Sequence, residues 1–211
     1  MFDSPDRVLA RENAYRLLAA SYYVPDQLLL EERPWASLEG VLAGLSTGAA
    51  AQARLMDAAA AASQESLKVE HARLFVGPFA LVAPPYGSVY LDPGRSVMGE
   101  STVRVSECYR KHGFILEEDI HEPADHIAIE LEFMSLLAFK HREALNSGDR
   151  QAMRKSVADQ YEFLQGFLLP FLLPFSKAVH EDAEAPFYSA LARCTMAFVE
   201  DDATSLASLL R

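Results

Sequence analysis

Cysteine is nearly absent from this 211-residue chain. Cys108 and Cys194 stand far apart, with no C-x-x-C pair. That excludes a disulfide framework and a zinc knuckle, and the two thiols read as small core residues in a reducing compartment. Basic charge is also short: 19 Lys and Arg stand against 30 Asp and Glu, a formal net charge of −11. The deficit is spread along the chain. Residues 1–121 hold 11 basic and 16 acidic side chains (−5), and residues 122–211 hold 8 and 14 (−6). Phosphate binding needs a basic face, so nucleic acid is excluded as a partner. A basic peptide suits this charge, although acidity also serves solubility alone.

Long apolar runs are missing as well. The most apolar stretch, "FLQGFLLPFLLPF" (163–175), is too short to span a bilayer and is interrupted by Pro170 and Pro174. The beginning, "MFDSPDRVLARENAYRLL", carries acids early and no uninterrupted apolar segment, so it does not read as a secretory signal. These absences predict a cytoplasmic protein. Strand patterning is absent too, apart from a short extended piece expected at "GSVYL" (87–91). There is no internal repeat and no sustained heptad.

Helical periodicity fills the rest. Ser4-Pro5 predicts an N-cap and first turn for a helix running to about Tyr23. Pro34 opens another. The alanine-rich segment from Gly48 to Phe75 predicts one helix, or two broken near Ser63, ending near Gly77-Pro78. An irregular stretch follows (77–99), with four prolines and four glycines. It also contains Phe79, Leu81, Val82, Tyr86, Val89, Tyr90 and Leu91, which predicts a packed loop. A helix from Glu100 is stopped by Gly113. After an acid-rich loop, a long apolar helix begins near His126. Two more helices are expected either side of Pro170, then one or two to the end. The fold class is all-α, a bundle of roughly ten helices. A hinge near 117–125 would divide a region 1–121 from a region 122–211, packed as one domain or two.

Three polar stretches approach known chemistry. "GRSVMGEST" (94–102) places Gly94 and Gly99 as in a phosphate loop, but Glu100 stands where that loop needs lysine and Pro93 precedes it. The glycines read as backbone turns leading into a helix that Glu100 or Ser101 starts. "EEDIHEPADH" (117–126) nearly spells the zinc motif H-E-x-x-H, but the spacing is one residue too long and Pro123 breaks the helix it requires. Glu118 and His121 form one E-x-x-H, where a di-iron bundle needs two. His126, Glu130, Phe133, Leu137 and His141 share one helix face, with Asp125 placed to cap that helix. Asp125, His126 and Glu130 would be the working residues if the chain were a helical hydrolase or a metal-dependent enzyme. A buried structural pair is the plainer reading, since no nucleophile pattern accompanies it. Five acids between 117 and 125 (Glu117, Glu118, Asp119, Glu122, Asp125) read as solvated loop residues, or as partners for arginine forks.

"EHARLFVGP", "APPYGSVYLD", "MGESTVRVSECYRKHGF" and "EPADHIAIELEFM", in this order, resemble the TorD/DmsD family of redox enzyme maturation proteins, with NarJ a more distant branch. The likeness is dense from about Glu70 to Ala138. "EPADH" (122–126) is similar to the family's hinge motif, and "APPYGSVYLD" favours the TorD/DmsD branch. The resemblance implies an all-helical cytoplasmic chaperone and not an enzyme, with no cofactor and no metal. It implies binding of the apo catalytic subunit of a molybdopterin-dependent reductase, of its twin-arginine signal peptide, or of both, before export. Homodimers by domain swapping through the hinge occur in some members.

Carried over by position, the peptide-binding residues are His71, Leu74, Phe75, Pro85, Tyr86, Gly99, Glu122, Asp125 and His126. Leu74, Phe75, Pro85 and Tyr86 would offer an apolar surface. Asp125, helped by Glu122, would meet an arginine, and Gly99 would allow close backbone approach. Leu74 and Phe75 read equally well as core. His71 departs from the family, where an aromatic often stands, and makes the site more polar.

Overall fold

Several helices in this chain begin where a polar side chain holds a free N–H group. A computed structural model describes residues 3–62, 64–77, 82–117 and 121–211. Ser4 Oγ accepts from the Arg7 N–H at 3.2 Å and Pro5 fills the first turn of α1 (Pro5–Tyr22). Asp26 caps the short α2 (Gln27–Glu32) by accepting from the Leu29 N–H. A 3₁₀ turn at Pro34–Ser37 leads into α3 (Leu38–Leu42). Then come α4 (Thr47–Ala62) and α5 (Gln64–His71). The expected break at Ser63 lies outside the described residues. From α5 the chain continues as a π turn, Ala72–Val76, closed by Gly77 at φ +48°.

Part of the stretch 77–99 is helical. α6 (Gly87–Leu91) is the segment expected to be extended, and the structure corrects that reading. Its start is held from a distance: the Gly87 N–H donates to the Asp125 carbonyl at 2.8 Å, and the Ser88 N–H to Asp125 Oδ2 at 2.7 Å. One turn with its free donors satisfied this way overrides the β preference of Val89 and Tyr90. Val89 is buried, while Val82 and Tyr90 pack partly buried against the core. Phe79 and Leu81 lie outside the described residues.

α7 (Glu100–Lys111) ends with Gly113 at φ +79°. Then follow α8 (Ile127–Ser147), α9 (Arg150–Phe163), α10 (Leu169–Asp182) and α11 (Pro186–Leu209). Asp149 caps α9, and Gly148 at φ +73° closes α8. The division expected at Pro170 falls earlier. A π turn at Leu164–Leu168 joins α9 to α10 without a loop. Pro170 brings no N–H to bond one turn back, and the widened turn upstream accommodates that loss. The end of the chain is one helix and not two.

α1 lies along α8, and α4 along α11. Buried residues from both sides of position 121 therefore join one apolar cluster, including Tyr15, Tyr22, Trp35, Phe75, Phe133, Phe163, Phe171, Phe175 and Phe198. Truncating any one of these rings costs about 3–5 kcal/mol. Deep within it sits an ion pair. Arg11 and Asp202 are 1% and 4% exposed and bond through two nitrogens, Nη2 reaching Asp202 Oδ2 at 2.9 Å. Tyr15 donates to the same oxygen at 2.7 Å, and Arg11 Nη2 donates to Gln160 Oε1. α1, α9 and α11 are pinned together at this point.

Candidate functional site

The stretch "EPADH" meets "APPYG" in space. Tyr86 and His126 form an isolated antiparallel bridge. The Ile127 N–H donates to the Pro85 carbonyl at 2.8 Å, beside the two bonds from Gly87 and Ser88 to Asp125. The Tyr86 hydroxyl donates to Glu122 Oε2 at 2.8 Å, and the Tyr109 hydroxyl to the Ala124 carbonyl. Residues 85–88 are thus latched onto residues 122–127. Asp125 does not cap α8. His126 does, its Nδ1 accepting from the Ala128 N–H at 3.1 Å. Asp125 points back to start α6 instead, because α6 has no capping side chain of its own.

His126 is clasped between two tyrosines. Tyr23 stacks on its ring (centroids 6.1 Å apart, planes 10° apart), and Tyr86 meets it edge-on at 5.4 Å. Burial, with His71 nearby, pushes His126 down to about 4, against a weaker pull upward from Asp125. It is a neutral, packed imidazole. Tyr23 donates to Glu132 Oε1 at 3.0 Å, matching the Tyr86–Glu122 bond on the other side. All four of these outer residues are half-buried. Desolvation raises both tyrosine hydroxyls, and the adjacent carboxylates add to it. The result is a partly open face of two tyrosine–carboxylate pairs about one histidine. Val24, next along the chain, is 62% exposed.

A second group lies deeper. The His71 ring packs edge-on against Phe75 at 5.1 Å, and Phe75 also meets Tyr22, Phe175 and Tyr188. Nε2 of His71 donates to the Tyr22 carbonyl at 3.1 Å, since a carbonyl can only accept. Desolvation lowers His71, so its polarity serves one internal bond. The Leu74 carbonyl accepts from the Ala83 N–H. Leu74 and Phe75 are 0% and 3% exposed and belong to the core.

Gly99 sits at the start of α7. Asp92 reaches over it: the Ser101 N–H donates to Asp92 Oδ2 at 2.9 Å and the Ser101 hydroxyl to Oδ1 at 2.6 Å. A Cβ on Gly99 would fall 2.2 Å from Asp92 Oδ2. In this structure its missing side chain makes room for a capping aspartate, and Gly94 turns at φ +89°.

The structure therefore brings Pro85, Tyr86, Glu122, Asp125 and His126 together, sets His71, Leu74 and Phe75 beneath, and puts Gly99 at the start of α7, against Asp92 at the end of α6. Tyr23 and Glu132 escaped the sequence reading. Tyr23 was visible only as a helix end, and Glu132 only as one polar residue in an apolar helix. Their pairing crosses 109 positions. Among the described residues, no three side chains of metal-binding type converge. Glu118 and Asp119 lie outside the described residues; His121 is exposed. Also among the described residues, no helix is long and apolar enough to cross a membrane.

Comparison with known proteins follows the same segments. The family model for the nitrate reductase delta subunit matches residues 42–177. A chaperone protein TorD from Vibrio vulnificus is 32% identical over 136 residues, 64% of this chain and 62% of its own length. A Tat proofreading chaperone DmsD from Salmonella typhimurium is 35% identical over 138 residues, 64% of this chain and 61% of its own. The match thus spans a little over three fifths of these relatives. A solved protein from Archaeoglobus fulgidus, described as a redox enzyme maturation protein, shares the fold with a TM-score of 0.54 and 26% identity, over 90% of this chain and 93% of that one. With well over half its length matched, the chain belongs to the nitrate reductase delta subunit family, in its TorD/DmsD group of redox enzyme maturation proteins.

Proposed function

We propose that this protein is a cytoplasmic chaperone for a molybdopterin-dependent reductase, holding the apo catalytic subunit through a basic, twin-arginine signal peptide until its cofactor is in place. The reading rests on one observation: Glu122 and Glu132 flank His126, and each is engaged by a tyrosine hydroxyl. A neutral donor does not cancel a carboxylate's charge. Two half-buried acids with aromatic rings between them suit a guanidinium, which bonds carboxylates in forks and stacks on rings. The chain's net charge of −11 draws a basic peptide toward this face. Pro85, Tyr86, Glu122, Asp125 and His126 form the site, Tyr23 and Glu132 extend it, and His71, Leu74 and Phe75 support it from beneath. Chaperone names among the relatives favour this reading over an enzyme using Asp125, His126 and Glu130. So does the packing of those three, all at most 5% exposed.

A pull-down from the source organism tests it, with the tagged chain as bait and Asp125→Ala as control. The expected catch is a molybdoenzyme catalytic subunit with its signal peptide uncut, held by the wild type and lost by the variant. Equal capture by both would keep the chaperone and move the site. An expressed molybdoenzyme left uncaptured by either would overturn the reading.

A further inference from the structure

Lysine is scarce in this chain, and it is not spread evenly. Three of the five lysines, Lys111, Lys140 and Lys155, line one pocket of about 310 Å³. They come from three helices: Lys111 from the end of α7, Lys140 from α8 and Lys155 from α9. His112 and, from α9, Ala152, Ser156 and Asp159 complete the walls. Asp159 is the one acid among these, in a chain where 30 acids stand against 19 bases. Two of the ammonium groups are fixed. Lys140 Nζ donates to the His112 carbonyl at 2.7 Å and lies 4.5 Å from the centre of the Phe114 ring. Lys155 Nζ donates to Asp159 Oδ2 at 2.6 Å. Each of these bonds uses one of an ammonium's three donors. Lys111 makes no hydrogen bond or ion pair among the described residues. The His112 side chain is 9% exposed, and Asp159 Oδ2 stands 3.7 Å from its Nδ1, beyond hydrogen-bond reach.

Like charges gathered about one open volume repel, and an anion relieves them. Ammonium heads are point charges that meet phosphate oxygens from several sides, whereas a planar carboxylate is best matched by the fork of an arginine. Among the described residues, no arginine lines this pocket. We propose that the pocket is a phosphate site, in which Lys111, Lys140 and Lys155 hold one oxyanion beside His112. Its ligand is the free ion or the phosphate group of a small ester. The site lies between α7, α8 and α9 and shares no residue with the tyrosine–carboxylate face. His112 makes it responsive to pH. Burial lowers the imidazole, Asp159 pulls it up, and Lys155, Lys140 and Lys111 push it down again. Arg104, Glu107 and Cys108 of α7 and Glu162 of α9 face it from an adjoining pocket of about 270 Å³, and Phe133 of α8 meets it edge-on at 5.7 Å. Held below the usual 6.5, the ring is neutral near pH 7. A dianion beside it favours the charged form, so binding takes up a proton and affinity rises as pH falls.

The test is an NMR titration of the full chain with sulfate and with inorganic phosphate, at an ionic strength held constant by sodium chloride. Sulfate stays a dianion throughout, so its pH dependence belongs to the protein. Expected are saturable shifts centred on Lys111, His112, Lys140 and Lys155, and sulfate affinity rising by up to about tenfold per unit as pH falls from about 7.5 to about 5.5. Lys111→Gln, which has no hydrogen bond to lose, should weaken both anions about fivefold through loss of one partly screened charge contact. His112→Gln should bind sulfate without a pH slope. Glycerol phosphate tells the two sources apart: binding as tight as that of phosphate supports an ester, and its exclusion supports the free ion. Succinate, a dianion with planar carboxylates, is expected to bind more weakly, and succinate held tighter than phosphate overturns the phosphate assignment. Shifts that stay linear and spread over all basic residues are mere screening and overturn the site. Saturable binding left unchanged by Lys111→Gln places the anion elsewhere and overturns it too. No slope in the wild type, or one that persists in His112→Gln, overturns the role given to His112.

Discussion

Two of the polar clusters buried in this molecule are built on opposite terms. In the first, Arg11 meets Asp202, with Tyr15 and Gln160 completing the bonds. In the second, around Gly87, Asp125 Oδ1 and Glu130 Oε2 are buried with no hydrogen-bond partner. Burial alone would pull the Arg11 guanidinium down, but Asp202 outweighs it and holds the charge in place. Burial pushes Glu130 the other way, and Asp125 reinforces the push. The first cluster is nearly complete: Arg11 Nη1, Asp3 Oδ2 and the His141 ring are left without partners about a fully bonded Asp202. It serves to fasten helices. The second stays incomplete beneath residues that the family resemblance also marks, which is where local rules are expected to yield to function.

The largest expected effect breaks the first cluster. Asp202→Ala leaves the Arg11 charge buried and unpaired, and should cost about 3–5 kcal/mol in chemical denaturation. A loss under about 1 kcal/mol would show that water or another acid takes over. Phe75→Ala should cost a similar amount, about 3–5 kcal/mol, because four rings pack on it. Peptide binding should fall with it, and a variant of unchanged stability would place Phe75 outside the core.

Gly99→Ala is a smaller change. The new Cβ displaces Asp92 from Ser101 and should remove about 0.5–2 kcal/mol by loss of the helix cap. Peptide affinity should hold if Gly99 serves only α7, and a selective loss of affinity would return it to the site.

The smallest effect sharpens the comparison by its sign. Glu130 holds its proton above 4.5 in the folded chain but not in the unfolded one, so its contribution to stability declines as pH rises through the range above 4.5. His126 and His141, both pushed down to about 4 by burial, act oppositely: folding gains as pH rises from about 4 to 6.5. Glu130→Gln removes only the first slope. The variant should match the wild type near pH 4 and exceed it progressively toward pH 8 in thermal melts. A constant difference across that range would mean that Glu130 does not change protonation on unfolding.

Much of this was legible in the sequence. Ser4 before Pro5 and Gly113 act within one helical turn of themselves, so the letters alone place those helix ends. Pro170 marks a break because its missing N–H is a local fact, but how the chain absorbs that loss is not. The site was half legible. "EPADH" and "APPYG" stand out in the letters, but that each holds the other by backbone bonds does not. Glu132 and Tyr23 gave no signal at all.

The sequence by itself determined an all-helical, acidic chain of one family, because helix formation, capping and amphipathic spacing are settled within a few residues. Only the tertiary structure decided that "GSVYL" coils, since its cap is Asp125, 37 positions away. It alone paired Arg11 with Asp202 across 191 positions and closed Gly87 over two acids. Burial and charge pairing depend on what arrives from elsewhere in the chain, and these decide which side chains are satisfied and which are not.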